Sequence, residues 1–258
     1  LATISAGNNA KHLEGFGPPT EGFDQVPFGN MNALRNAITG ETAGVLIEPI
    51  QGEGGIRPMD LDYLRDVRKA CDEFGILMCV DEVQSGVGRT GKLFAHEWAG
   101  ITPDVLASAK GLGGGMPVGA VLATKEAAAG MVAGTHGSTY GGNPMSMAAV
   151  NAVLDVVLAD GFLDSVQDIA AYLREKAEGL VAKHPTVFKS VRGAGLMLGF
   201  VAGPPNGEIV AAATENGLLT VPAGDNVVRM LPPLTIGRAE VDEAIAILDK
   251  TAAAIATA

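Results

Sequence analysis

The sequence predicts an α/β fold: a larger domain built on a mostly parallel sheet over residues 1–155, then a smaller α+β domain over residues 156–258. Three observations lead there. From about residue 43, short β-rich runs alternate with an amphipathic helical run, in the order AGVLIEP, DLDYLRDVRKACDEFG, ILMCVDEV, DVLASAK and VGAVLAT, which is the rhythm of a parallel sheet covered by helices. From residue 187 the character changes, with strand-like runs VFKSV, LMLGFVA, LLTVPA and VVRML around one helix near 207–216. Finally, the 35 glycines in 258 residues are roughly twice the usual share, so much of this backbone must turn tightly or approach something closely.

The elements follow from local signals. The amino terminus, LATISAGNNAKHLEGFG, lacks the charged region and apolar core of a signal peptide. It opens on Leu1 and reads as interior sequence, so the chain is expected to be a fragment. The first long helix has Asp60 as N-cap, an apolar stripe through Leu61, Leu64, Val67, Cys71 and Phe74, and Gly75 as its stop. MSMAAVNAVLDVVLADG reads as a second helix, and a third runs to about Lys183, with Gly161 as the break between them and Pro185 beyond the end. A last helix begins near Arg238, and TAAAIATA is its fraying end. No fixed-period repeat is present.

Composition excludes several classes of function. Hydrophobic residues make up 47% and charged residues 18%, so the chain is expected to fold rather than stay disordered. Its formal charge is 18 − 29 = −11, and without a basic cluster no nucleic-acid partner is expected. No apolar stretch has the length of a membrane span. Cys71 and Cys79 have no metal-like cluster around them and read as reduced thiols of a cytoplasmic protein. His12, His96, His136 and His184 are scattered, without metal-ligand spacing. GLGGGMPVG does not fit the dinucleotide pattern of GxGxxG between strand and helix.

The chemistry collects at strand ends. Lys110 closes the apolar run DVLASAK and is followed by GLGGG. It is either a surface lysine snorkelling at a strand end or a partly desolvated amine able to attack a carbonyl. Asp81 ends the strand ILMCVD, ahead of the loop EVQSGVGRTG. It is either a loop acid or a carboxylate held against a cationic ring nitrogen, since ligands gather at the carboxyl ends of parallel strands. A lysine and an acid so placed suit pyridoxal phosphate, whose aldehyde meets the amine and whose ring nitrogen meets the acid. Arg229, in the apolar run VVRMLPPL, needs a partner if buried: a carboxylate ligand or a structural ion pair.

IEPIQGEGG, CVDEVQSGVGRTG, SAKGLGGGMPVGA, THGSTYGGNP and VVRMLPPLTI occur in this order, and together the five resemble the class III pyridoxal-phosphate aminotransferases along essentially the whole chain. The resemblance implies the aspartate-aminotransferase-like architecture of fold type I and a homodimer whose site is shared between subunits. It implies that Lys110 bonds the cofactor, that Asp81 keeps the pyridine nitrogen protonated, that Gln84 lies near the phenolic oxygen and Val83 against the ring face, and that Thr139 reaches the neighbouring subunit's phosphate. Ser138 and Arg229 would contact substrate, and Glu53 would pair with Arg229 and release it when glutamate binds. Glu48 would be a supporting acid. The implied reaction moves an amino group from N-acetylornithine to 2-oxoglutarate, with ornithine, succinylornithine, succinyldiaminopimelate and 4-aminobutyrate as alternative donors. A non-catalytic fragment is the reading from another class. The phosphate cup and stacking aromatic of family members are not found in these residues.

Overall fold

The computed structural model describes residues 1–7 and 9–256 and divides into two compact units, Leu1–Ala43 and Gly44–Ala258. The first unit holds three short helices: α1 (Ala2–Gly7), α2 (Ala10–Leu13) and α3 (Met31–Ala37). Asn30 starts α3, its side-chain oxygen accepting from the Ala33 amide at 3.0 Å. The Ser5 hydroxyl accepts from the Thr20 amide at 2.9 Å, which folds the following segment back on α1.

The second unit is built on two four-stranded sheets and one hairpin. Its elements are β1 (Gly44–Ile47), β2 (Ile50–Gln51), β3 (Arg57–Pro58), α4 (Leu61–Phe74), β4 (Leu77–Asp81), β5 (Val105–Ser108), β6 (Ala120–Ala123), α5 (Pro144–Val157), α6 (Phe162–Lys183), β7 (Phe188–Ala194), β8 (Met197–Ala202), α7 (Asn206–Glu215), β9 (Val221–Ala223), β10 (Val227–Met230) and α8 (Arg238–Ala256). The first sheet has the order β1-β4-β5-β6. Its β1–β4 and β4–β5 pairs are parallel and its β5–β6 pair antiparallel, as the strand–helix rhythm predicts for a mostly parallel sheet.

Helix α4 forms where the caps and apolar spacing place it. Asp60 accepts from the Asp62 and Tyr63 amides, Gly75 ends the helix at φ +66°, and Leu64, Val67, Ala70 and Cys71 form its buried face. Leu61 and Phe74, counted in the apolar stripe, remain exposed at the two ends of the helix. Both cysteines are free, Cys71 buried in α4 and Cys79 half-buried in β4. Burial pushes the Cys71 thiol up to about 11, the direction expected of an inert structural cysteine.

The second sheet, β7-β8-β10-β9, is antiparallel throughout. Its core joins Phe188, Leu198, Phe200 and Val228 of the strands to Leu173 and Leu180 of α6, Ile209 of α7 and Leu248 of α8. Fully burying each such side chain stabilises the fold by about 1.5–3 kcal/mol. Two smaller clusters position the residues of the candidate site. Ile50 and Ile56 of the β2–β3 hairpin pack on Met197 and Val227, which brings the hairpin against the second sheet. Val87, Leu112 and Val157 pack with Val153, Leu154 and Leu234, which joins the glycine-rich loops to α5. Among the described residues, no single helix is long and apolar enough to cross a membrane.

Candidate active site

Three parallel strands deliver three ionisable side chains to one edge. Ile47 of β1 pairs with Val80 of β4, and Asp81 of β4 pairs with Ala107 of β5. Glu48 therefore follows β1 beside Asp81, while Lys110 follows the end of β5. Lys110 opens a single 3-10 turn, Lys110–Gly113, from a left-handed backbone conformation at φ +48°, one that non-glycine residues adopt at a cost and that clusters at functional sites. Its side chain is exposed. The partial desolvation expected at a strand end is thus not supplied within this chain, because the backbone leaves β5 at Ser108 and turns outward before the lysine.

The Asp81 carboxylate accepts from the Val83 amide at 2.9 Å, which fixes the start of the following loop. Glu82, completely buried, holds the rest of it. Its Oε2 accepts from the Ser85 hydroxyl at 2.6 Å and the Ala95 amide at 3.0 Å, and its Oε1 accepts from the His96 amide at 2.8 Å. His96 Nδ1 lies 3.1 Å from the same oxygen. Glu48 accepts from the Gly52 amide at 3.2 Å. Burial raises its pKa above the ordinary 4.5, with Asp81 adding to the rise and the Gly52 amide and Lys110 opposing it.

A cavity of about 270 Å³ opens beside Lys110, lined by Val83, Gln84, Val87, Val153 and Leu234 among others. The sequence-predicted Lys110, Val83 and Gln84 are thus among its lining residues, and Asp81 is not. Gln84 connects this cavity to a second cluster. Arg229 Nη1 donates to Gln84 Oε1 at 3.0 Å and to Glu53 Oε1 at 2.6 Å, and Gln84 Nε2 donates to the same glutamate oxygen at 3.4 Å. Arg229 is 7% exposed; its Nε is buried without a hydrogen-bond partner among the described residues. The Arg229 hydrogen bond holds the Glu53 carboxyl below its ordinary value.

Gly52 makes this arrangement possible. A Cβ there would lie 2.3 Å from the Gln84 amide group, so any side chain would displace it. Two further participants carry little sequence signal: Gly52 reads as one glycine of QGEGG, and Arg89 as one polar residue of VQSGVGRTG. Ser138 and Thr139 lie in an exposed loop, where Ser138 Oγ accepts from the Gly141 amide at 2.9 Å. Neither is among the residues lining the cavity. A larger apolar groove of about 400 Å³, lined by Leu173, Leu218, Met230 and Ile236 among others, involves none of the predicted site residues.

The Lys110 amine and the Asp81 carboxylate, at the ends of neighbouring strands, suit a guest with a carbonyl for the one and a basic atom for the other. The Ser108 hydroxyl, buried without a hydrogen-bond partner among the described residues, stands just ahead of Lys110 as an unused polar group at the same edge. The aldehyde and the ring nitrogen of pyridoxal phosphate fit the Lys110 amine and the Asp81 carboxylate.

Residues 2–252 match the aminotransferase class-III family. The chain is 60% identical over 245 residues to an acetylornithine aminotransferase of Brucella melitensis, covering 95% of this chain and 61% of that protein. It is 56% identical over 255 residues to one of Agrobacterium fabrum, covering 99% of this chain and 64% of the relative. It therefore spans less than two thirds of the length of either. Among solved structures, the ornithine aminotransferase of Toxoplasma gondii superposes with a TM-score of 0.93 at 30% identity, over 99% of this chain and 62% of the other. The N-acetylornithine aminotransferase of Stenotrophomonas maltophilia superposes with a TM-score of 0.84 at 36% identity, over 92% of this chain and 64% of the other.

Proposed function

Because the chain belongs to the class-III aminotransferase family, a family that depends on pyridoxal phosphate, we propose that the protein carrying it transfers an amino group from N-acetylornithine to 2-oxoglutarate. The products are N-acetylglutamate semialdehyde and glutamate, a step of arginine biosynthesis in the cytoplasm. The observation that carries this reading is the Gln84 side chain, which lines the Lys110 cavity and also contacts the Arg229–Glu53 pair. One residue thereby joins an amine site to a carboxylate site. Identity of 60% to an acetylornithine aminotransferase favours N-acetylornithine over ornithine as donor.

Pyridoxal phosphate, when bound, supplies an aldehyde that takes up the amino group and a ring that accepts the electron pair of the broken C–H bond. Lys110 Nζ is the amine that would hold the aldehyde. When free, it would take the proton from the substrate carbon bearing nitrogen as base and give it up again as acid. Asp81 would hold a proton on the ring nitrogen by offering it a carboxylate. Val83 would lie against the ring face and Gln84 would donate toward the phenolic oxygen. The exposed Ser138 and Thr139 would serve substrate and the phosphate held by the partner of a homodimer.

Arg229 binds the substrate carboxylate through two parallel N–H bonds. Glu53 neutralises it when the bound donor places no carboxylate there. The portion up to about residue 155 then holds the cofactor, and the portion after it presents Arg229. The test is direct: a full-length protein with this sequence, supplied with N-acetylornithine and 2-oxoglutarate, should form glutamate. Turnover of ornithine or 4-aminobutyrate, with none of N-acetylornithine, would reassign the donor.

A further inference from the structure

Arg89 occupies a place that neither the amine site nor the carboxylate site accounts for. It lines the same cavity as Lys110 and Gln84, yet its guanidinium turns to the second sheet. Arg89 Nη1 donates to the Pro232 carbonyl at 2.5 Å and to the Leu196 carbonyl at 3.2 Å. The main chain completes the contact: the Leu196 amide donates to the Arg89 carbonyl at 3.0 Å. Leu196 immediately precedes β8, and Pro232 follows just beyond the end of β10. These strands are neighbours, with Arg229 paired to Gly199 and Met230 to Leu198.

One guanidinium therefore bridges two adjacent strand ends at the edge from which Arg229 projects. The approach is close on the main-chain side as well, since a Cβ at Gly195 would lie 2.5 Å from the Thr90 Cα. Burial pulls the Arg89 pKa down to about 10, and among the described residues no carboxylate offsets it. A charge kept half-buried against backbone carbonyls alone is costly. A single guanidinium nitrogen, Nη1, meets both carbonyls, and the planar group fixes its direction more firmly than a flexible lysine stem would fix an ammonium.

We propose that Arg89 is a positioning residue for carboxylate recognition, holding the loop that carries Gln84 in register with the strand that carries Arg229. Arg89 directs its Nη1 donors to backbone carbonyls at strand ends of the second sheet, so it acts through Gln84 and Arg229. It sets the separation between Gln84 Oε1 and Arg229 Nη1, and with it the direction in which the arginine presents its remaining donors. The proposal rests on the reading of Arg229 as the carboxylate site.

The experiment is calorimetric titration of the full-length holoenzyme with glutarate, an unreactive dicarboxylate, so no turnover is needed. Arg89→Met is expected to weaken glutarate about tenfold, and Arg89→Lys by a smaller factor of about threefold. In an Arg229→Lys background, Arg89→Met should add less than about twofold, because both changes act on one contact. Unchanged glutarate affinity in Arg89→Met, even with a lowered melting temperature, overturns the proposal, and so do fully additive losses. If Arg89→Met does not fold, Arg89→Lys decides by the same readout: about threefold weakening supports the proposal, and wild-type affinity sinks it. Failure of the unmodified enzyme to bind glutarate removes the carboxylate reading itself, a result distinct from normal binding that ignores Arg89.

Discussion

Arg229 and Glu53 stand 176 positions apart in sequence and 2.6 Å apart in space. The arginine side chain is 8% exposed and the glutamate 71%. The pair is thus asymmetric. The cation is a fixed part of the sheet, while the anion reaches in from solvent and is replaceable by another carboxylate of the same charge.

Arg229→Lys should raise the apparent KM for glutamate and 2-oxoglutarate. An ammonium cannot reproduce two parallel N–H bonds, and losing a charged hydrogen bond costs about 2 kcal/mol, roughly thirtyfold in affinity. Steady-state kinetics with both substrates would check this. Unaltered KM for every carboxylate would remove Arg229 from the site.

The Glu53–Arg229 contact should respond to acid. Because the Glu53 pKa is lowered from 4.5 by its hydrogen bond to Arg229, the pair stabilises the fold fully above the unfolded value and loses that contribution as pH falls through the folded value. Glu53→Gln should therefore melt below wild type at pH 7, with the gap narrowing as pH falls below the ordinary 4.5. A gap that stays constant with pH would show that the carboxylate charge is not what matters.

Borohydride reduction of the cofactor-loaded protein should leave the pyridoxyl group on Lys110. Lys92 sits over the Trp98 ring at 4.7 Å and Lys125 lies beyond β6; neither lines the cavity. Peptide mapping of the label to either of them would refute the central assignment.

Asp81→Asn should lower turnover by about 3 kcal/mol in barrier, roughly two decades, since an amide cannot hold the proton of a ring nitrogen as a carboxylate does. Cofactor retention should suffer less than rate. Nearly normal single-turnover rates would place the ring-nitrogen partner elsewhere.

Gly52→Ala tests packing rather than charge. With a Cβ placed 2.3 Å from the Gln84 amide, the flexible end of that side chain must shift, so stability should change by less than about 1 kcal/mol while carboxylate binding weakens. A variant that binds carboxylates like wild type would mean that the position of the Gln84 amide does not matter to the site.

Most of the fold was legible because its signals are local. Asp60 and Gly75 bracket α4 as cap and stop, and Gly161 separates α5 from α6. The strands at Leu77–Asp81 and Val105–Ser108 end where apolar runs meet acid, lysine and glycine. Lys110, Asp81 and Arg229 stood out because a charged residue in an apolar run is conspicuous. Gly52 and Arg89 did not, because their roles depend on contacts with Gln84, Leu196 and Pro232, which no local pattern encodes. The exposure of Lys110 was equally hidden, being set by where the chain turns after Ser108 rather than by the residues around it.

The strand carrying Arg229 is paired on both sides, to β8 and to β9, whereas Glu53 lies on the turn of a hairpin with only two short strands. A strand hydrogen-bonded on both flanks opens rarely, and its amides should be among the slowest to exchange with solvent. The Glu53 carbonyl accepts from the Gly224 amide at 2.8 Å, so the turn is tied to the sheet and the exposed side chain is the part that swings, in picoseconds to nanoseconds. On the proposed reading, exchange of Glu53 for an incoming carboxylate would be a motion of that side chain around a stationary cation. At such speed it would be complete long before a turnover of typical enzymatic length, about a hundred milliseconds. The choice between partners would then reach equilibrium before chemistry begins, and competing carboxylates would be sorted by their affinities rather than by the order in which they arrive.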